Sequence, residues 1–240
     1  MSDDTTLVLG ATGNTGRRVA ARLRLRHAPV RTASRSSPTP FDWFRPADWG
    51  QVLRDVTTAY VVPPSVPGPV HDFVARAEAA GVRRLVLLSG RGADDWGDSA
   101  FGLDMRSAED AVRGSTLEWT ILRASNFAQN FDGHPFRAPL AAGELALPAG
   151  AVPEPFIDLE DVADVAATVL SEPGRHAGRA YELTDATRAD LGGGSRADLP
   201  GIRAAHRLPA RIPGRVHRDA GPGGLERGRG PAPYRDVRAA

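Results

Sequence analysis

The stretch Thr6-Leu7-Val8-Leu9-Gly10-Ala11-Thr12-Gly13-Asn14-Thr15-Gly16-Arg17-Arg18-Val19-Ala20-Ala21-Arg22-Leu23 decides the fold. A short apolar run ends at Gly10, as a buried parallel strand does. Three glycines follow, spaced GxxGxxG. Val19, Ala20 and Leu23 then recur at helical spacing. Strand, glycine turn and helix in that order is where a doubly wound sheet binds a dinucleotide pyrophosphate. Glycine lets the backbone approach the phosphates, and the helix N-terminus supplies free N–H groups and a positive dipole. Gly10, Thr12, Gly13, Asn14, Thr15 and Gly16 are therefore expected to hold a dinucleotide cofactor.

Outward from this turn the pattern repeats. Further apolar runs stand at 30–34, 59–62, 84–88, 119–122 and 180–183. Helical periods lie between them at 70–80, 107–113 and 161–170, with Asp158 or Asp161 near the start of the last. Strands alternating with helices predict an α/β fold with a parallel sheet covered on both faces. The second strand ends at Arg35, nineteen residues beyond Gly16. An acid there would bind the ribose 2′-hydroxyl of NAD, whereas an Arg favours the 2′-phosphate of NADP. Arg35 and Ser36, with Ser37 beside them and Arg31 upstream, point to NADP(H) ahead of NAD(H).

Composition excludes several chemistries. The 240 residues carry 30 basic residues, all arginine, and 29 acidic ones, a net charge of +1. No cysteine removes disulfides, thiolate nucleophiles and zinc–thiolate sites. No lysine removes Schiff bases and the P-loop lysine. The histidines, His71, His134 and His176 among them, show no metal-binding spacing, so no metal is expected. Trp43, Trp49, Trp96 and Trp119 read as core or pocket wall. No apolar run approaches the length of about 18 residues that spans a membrane, and the acidic start MSDDTT does not read as a signal peptide. A cytoplasmic protein with a small-molecule substrate, rather than a membrane or nucleic acid, is expected.

The chain divides at residue 185. Residues 186–240 hold 11 Arg against 5 acids, with 10 Gly and 6 Pro. Their sparse apolar residues fit neither a helical nor a strand period. Composition reads as an irregular, disordered basic tail. Aromatic residues for base stacking are lacking, Tyr234 excepted, which argues against a nucleic-acid arm. A one-base frame shift from Leu191, across Gly192-Gly193-Gly194, permits a string with helical spacing. Residues from about 186 onward are therefore read as a frameshifted translation.

Several segments together resemble one family: LVLGATGNTGRRVAARL, VRTASRS, FDWFRPADW, AYVVPP, GVRRLVLLSG and LEWTILRASNFAQNF. They look like the NmrA-like family of atypical short-chain dehydrogenase/reductases, over roughly residues 5–185. The FDW and VVPP segments look most like its agroclavine-dehydrogenase branch. The resemblance implies a Rossmann domain, within residues 1–185, followed by a small C-terminal substrate-covering part. It also implies NAD(P)H binding, used for reduction in some members and for sensing in others. It places Asp42 by the adenine, Pro63 near the cofactor, and Ser89 and Gly90 beside the nicotinamide ribose. Asn126, Phe127 and Phe131 would line the nicotinamide and substrate pocket. The family's usual Arg-Pro stands here as Arg123-Ala124. Ordinary short-chain dehydrogenases use a Tyr-x-x-x-Lys pair, and this chain has no lysine. Its tyrosines, Tyr60, Tyr181 and Tyr234, lie off the 107–113 helix. Asp104, Arg106 and Glu109 occupy that region; Glu109 can reach a hydrogen bond near the site, but the preferred reading is a solvated helix face. No catalytic residue is assigned. The expected function is NAD(P)H-dependent hydride transfer to a small electron-poor acceptor, such as a quinone, enal or iminium. The alternative is a non-catalytic NADP(H)-binding sensor.

Overall fold

The computed structural model describes residues 4–131, 137–142, 154–184, 188–189 and 217–218. Readings that fall on His134, Tyr234 and nearly all of 186–240, the shifted frame included, lie outside the described residues.

The first half alternates as the periods predict. β1 (Thr5–Leu9), α1 (Gly16–Leu25), β2 (Val30–Ser34), β3 (Thr39–Pro40), α2 (Trp49–Leu53), β4 (Val56–Val61), α3 (Pro69–Ala79) and β5 (Arg84–Gly90) run in succession. α4 (Ala100–Arg113), β6 (Glu118–Ala124), β7 (Asn126–Phe127), α5 (Arg137–Ala141), β8 (Glu154–Ile157), α6 (Leu159–Ser171) and β9 (Arg179–Leu183) follow. Two-residue strands β10 (Arg188–Ala189) and β11 (His217–Arg218) complete the described elements.

The main sheet has the order β11-β9-β6-β5-β4-β1-β2-β3. Every pairing from β3 to β9 is parallel, and β11 adds antiparallel to β9. The order runs outward from β1 to β3, then returns through β4. This reversal makes β1/β4 the topological switch point, outside whose carboxyl ends ligands bind in such sheets.

Side chains alternate across the sheet because the strand period is two. Leu7, Leu9, Leu85 and Leu87 enter one core with Phe73, Val74, Val112 and the aromatic group of Phe41, Trp43 and Trp49. Val8, Val86 and Leu88 enter the other, with Val19 and Leu23 of α1 and Val162 and Ala166 of α6. Helices therefore cover both faces, as a doubly wound sheet requires. Across the outer surface, Arg18 and Arg22 of α1 pair with Glu160 and Asp164 of α6. These partly exposed surface pairs contribute about 0.2–1 kcal/mol each.

Two boundaries differ from the periodic reading. α4 begins seven residues earlier than its apolar period, capped by Ser99, whose side chain accepts from Gly102 N. Its first turns carry exposed Phe101 and Leu103 around Gly102, so no buried stripe marks them. α6 begins at Leu159, with Asp158 as the cap accepting from Glu160 N at 2.7 Å. Gln129 tightens this start: its amide donates to Asp158 and its carbonyl accepts from Leu159 N. A second small sheet, of order β10-β8-β7, pairs the segment that follows β6 with the one that precedes α6.

Candidate dinucleotide and acceptor site

The turn after β1 is built by close backbone approach. Gly10 adopts φ +65°, which only glycine takes without strain. A side chain on Gly16 would overlap the Gly10 carbonyl, and one on Gly13 would sit 3.1 Å from it. Gly13 N donates to Gly10 O at 2.8 Å, closing the turn. α1 then starts without a side-chain cap and without an acid in its first turn. Among the described residues, no backbone acceptor faces the N–H groups of Asn14, Thr15 or Gly16. A helix end with orphan donors and uncompensated positive dipole fits an anion, and the turn lies at the switch point. Gly10 also abuts Val62, just past β4, so the two sides of the crevice meet there. The residues present fit a dinucleotide pyrophosphate.

The end of β2 is a cluster of hydroxyls. Thr12 Oγ1 donates to Ser34 Oγ at 3.1 Å, and Ser34 Oγ lies 2.7 Å from Ser37 Oγ. Ser36 Oγ reaches Thr12 Oγ1 at 3.4 Å. The glycine turn and the end of β2 are thereby tied together. Arg35 and Ser36 are exposed beside this cluster. Arg31, upstream, is committed elsewhere: its guanidinium donates to Val52 O and Arg54 O.

The carboxyl ends of β5 and β6 hold a buried ion pair. Glu109 of α4 is 3% exposed and Arg123 of β6 is 6% exposed. Arg123 Nε and Nη2 donate to the two Glu109 oxygens at 2.8 and 2.7 Å, a bidentate fork. Ser89 Oγ donates to the same Glu109 carboxylate at 2.7 Å. Arg123 Nη1 extends the chain to Asp94 at 2.8 Å and Glu182 at 3.4 Å. The Glu109 hydrogen bonds hold the Arg123 guanidinium charged, above the ordinary arginine range, against the opposing cost of burial. Glu109 is thus a buried counter-ion, correcting its reading as a solvated face. A signal existed: the helical period places Glu109 with buried Ala108 and Val112. Asp104, also on α4, is buried, and burial raises its carboxyl pKa.

The other expected residues are spread more widely. Asp42 holds its own turn, its carboxylate accepting from Phe44 N at 2.9 Å and its carbonyl from Trp49 Nε1 at 2.8 Å. Pro63 follows β4, half-buried, at the crevice. Gly90 is buried and faces the ring of Phe101, which fills the space a side chain would take. Asn126 and Phe127 form β7, with Asn126 exposed and Phe127 half-buried. Phe131 is buried, with its ring 5.0 Å from that of Phe156, a packing position in the small sheet region.

The two described tyrosines, Tyr60 on β4 and Tyr181 on β9, lie off α4. Tyr60 is fully buried on β4, and burial raises its pKa. Tyr181 OH lies 2.8 Å from His176 Nδ1, whose other nitrogen meets Glu172. No group of three or more potential metal ligands exists among the described residues. No described helix is long and apolar enough to cross a membrane.

This fold and turn define a Rossmann-type dinucleotide-binding protein. Comparison with known proteins makes the class specific. The chain belongs to the NAD(P)H-binding family, whose model matches residues 10–173. It is 31% identical to the uncharacterized oxidoreductase YesF of Bacillus subtilis, over 73% of this chain and 64% of that protein. It is 30% identical to agroclavine dehydrogenase of Claviceps fusiformis, over 72% of this chain and 65% of that protein. The chain therefore spans a little under two thirds of these relatives' length. Among solved structures, the NADPH complex of the quinone oxidoreductase QOR2 of Escherichia coli matches with a TM-score of 0.67 at 22% identity. That match covers 85% of this chain and 83% of the other. The resemblance to NmrA-like atypical short-chain dehydrogenase/reductases stands.

Proposed function

We propose that the chain is an NADPH-preferring oxidoreductase that passes hydride to a small electron-poor acceptor. The carrying observation is the uncapped N-terminus of α1, joined by the Thr12–Ser34 contact to a strand end with Arg35 instead of an acid. In this reading Gly10, Thr12, Gly13, Asn14, Thr15 and Gly16 hold the pyrophosphate. Arg35 and Ser36 hold the 2′-phosphate, and Asp42 lies by the adenine. Pro63, Ser89 and Gly90 adjoin the nicotinamide ribose, with Asn126, Phe127 and Phe131 on the substrate side. A bound reduced nicotinamide supplies hydride, and the fold positions it. Oxidoreductases among the relatives, and a quinone oxidoreductase among the structural neighbours, support this class of reaction.

No tyrosine–lysine pair is assigned to proton transfer. Glu109 already accepts from Ser89 and Arg123, so it serves as a fixed counter-ion rather than a mobile base. Acceptors that take their proton from solvent suit such a site. A cytoplasmic protein acting on a diffusible small molecule fits this chemistry.

The same observation favours a second reading: a protein that binds NADP(H) and signals its redox state without turnover. NADPH oxidation followed by absorbance, across quinones, enals and iminium salts, separates the two. Turnover of at least one class supports the enzyme. Micromolar NADPH binding with no turnover of any class supports the sensor.

A further inference from the structure

Past Gly90 the chain places two aromatic rings in a fixed arrangement and leaves both open. Phe101 packs its ring against Gly90, where any side chain would overlap Cζ. Trp96 meets Phe101 edge to face, with centroids 5.3 Å apart and planes at 67°. The indole is held from three sides. Its Nε1 donates to Arg91 O at 3.0 Å. A side chain on Gly92 would lie 3.2 Å from that nitrogen, and one on Gly102 would lie 2.8 Å from Trp96 Cβ. The loop beneath is pinned by Arg123–Asp94 at 2.8 Å and by the buried side chain of Ala93.

These rings are nevertheless 39% and 43% exposed. Three glycines and an ion pair are thus arranged around aromatic surface that no described residue covers. Isolated exposed apolar residues need no explanation, but a rigid aromatic pair beside a ligand crevice does. Sheet order fixes which part of the crevice this is. Adenosine lies on the β2 side of the β1 turn, so the nicotinamide end lies on the β4 and β5 side. The pair stands at the end of β5.

We propose that Trp96 and Phe101 form the acceptor wall of this site and select a flat, electron-poor conjugated ring, of which a quinone is the simplest case. The proposal rests on the oxidoreductase reading. An electron-rich indole attracts such a ring by stacking, beyond the area it buries. A quinone also needs no acid from the protein. One hydride, with its two electrons, leaves the reduced nicotinamide, and one proton comes from solvent. The two quinone carbonyls become two phenol hydroxyls, and NADP+ is left. Trp96 and Phe101 neither give nor take a proton; they orient the ring and set specificity.

The test uses the full chain with Trp96→Ala and Trp96→Phe. Menadione and the acyclic enal crotonaldehyde serve as acceptors, with NADPH affinity measured separately by fluorescence titration. Trp96→Ala should raise KM for menadione about five- to tenfold, the worth of one aromatic contact. KM for crotonaldehyde and Kd for NADPH should stay nearly unchanged, and Trp96→Phe should restore most of the menadione KM. A binding readout stands beside activity. Menadione added to the NADP+-saturated protein should quench tryptophan emission saturably, and Trp96→Ala should abolish the saturable part. An unchanged menadione KM, equal rises for both acceptors, or saturable quenching that survives Trp96→Ala would overturn the wall. If wild-type protein reduces neither acceptor yet shows saturable quenching lost in Trp96→Ala, the wall stands and the oxidoreductase reading falls.

Discussion

Arg35 and Ser34 occupy the end of β2 in different ways. Ser34 is buried and bound to Thr12 and Ser37, while Arg35 is exposed beside them. A guanidinium free to meet an anion at this point gives a charge-assisted contact of about 1.5–3 kcal/mol. Arg35→Ala should therefore weaken NADPH about 10- to 150-fold and leave NADH nearly unaffected. Titration with both cofactors checks it, and equal losses would remove Arg35 from the phosphate site. Tyr60 makes a second prediction at this scale. Its hydroxyl lies towards Thr15 without forming a hydrogen bond of good geometry, and burial raises its pKa above 10. In the unfolded chain the phenol ionises near pH 10, while the folded chain keeps it neutral. Below pH 10 the group adds no pH dependence. As pH rises beyond 10, the unfolded state releases a proton that the folded state retains, and stability falls by about 1.4 kcal/mol per pH unit. The chain contains no lysine, so few other groups titrate in this window. Tyr60→Phe should match wild-type stability at pH 8 and exceed it at pH 11, read from urea midpoints. Identical midpoints at pH 11 would show that the phenol is not kept neutral.

At the scale of elements, the β1–α1 unit was the most legible part of the chain, because every cue is local. The apolar run, three glycines and the helical stripe lie within a few residues of each other, and the resulting turn uses each glycine. Gly16→Ala tests it. The added methyl would meet the Gly10 carbonyl, a backbone atom that cannot swing aside. Such overpacking costs about 1–3 kcal/mol and pushes α1 away from the phosphates. A drop in Tm of several degrees together with weaker NADPH binding is expected; full affinity with an unchanged Tm would mean the turn is looser than described. The Glu109–Arg123 pair was not legible. Fourteen residues and a change from helix to strand separate the partners, and only the register of β5 on β6 sets Ser89 opposite Arg123. Local periodicity marks Glu109 as inward-facing but cannot name its counter-ion. The early start of α4 escaped for the opposite reason: Phe101 and Leu103 are exposed, so the apolar period that identifies a helix is absent where the aromatic wall begins.

For the whole molecule, the two halves of the site draw on different parts of the chain. All groups proposed for the dinucleotide lie on or just after β1 to β5, inside residues 10–90. β5 and β6 are supported in turn by β9, which pairs with β6 over Arg179–Leu183. Beyond Thr184 the described contributions are β10, which pairs with β8, and β11, which caps the edge strand β9. Both lie away from the β1/β4 switch point. β10, however, belongs to the small sheet that includes Asn126 and Phe127, which are proposed above for the substrate side. A chain ended after Thr184 should consequently keep its NADPH Kd within about threefold, a change of under 1 kcal/mol. It should still gain thermal stability from saturating NADPH, since a ligand that binds only the folded state stabilises it by mass action. Acceptor KM should rise more than cofactor Kd, because the small sheet loses a strand while the glycine turn loses nothing. Calorimetry with and without NADPH, followed by menadione kinetics, reads both. Loss of NADPH binding on truncation would place part of the dinucleotide side beyond residue 184 and make the two halves of the site a single unit.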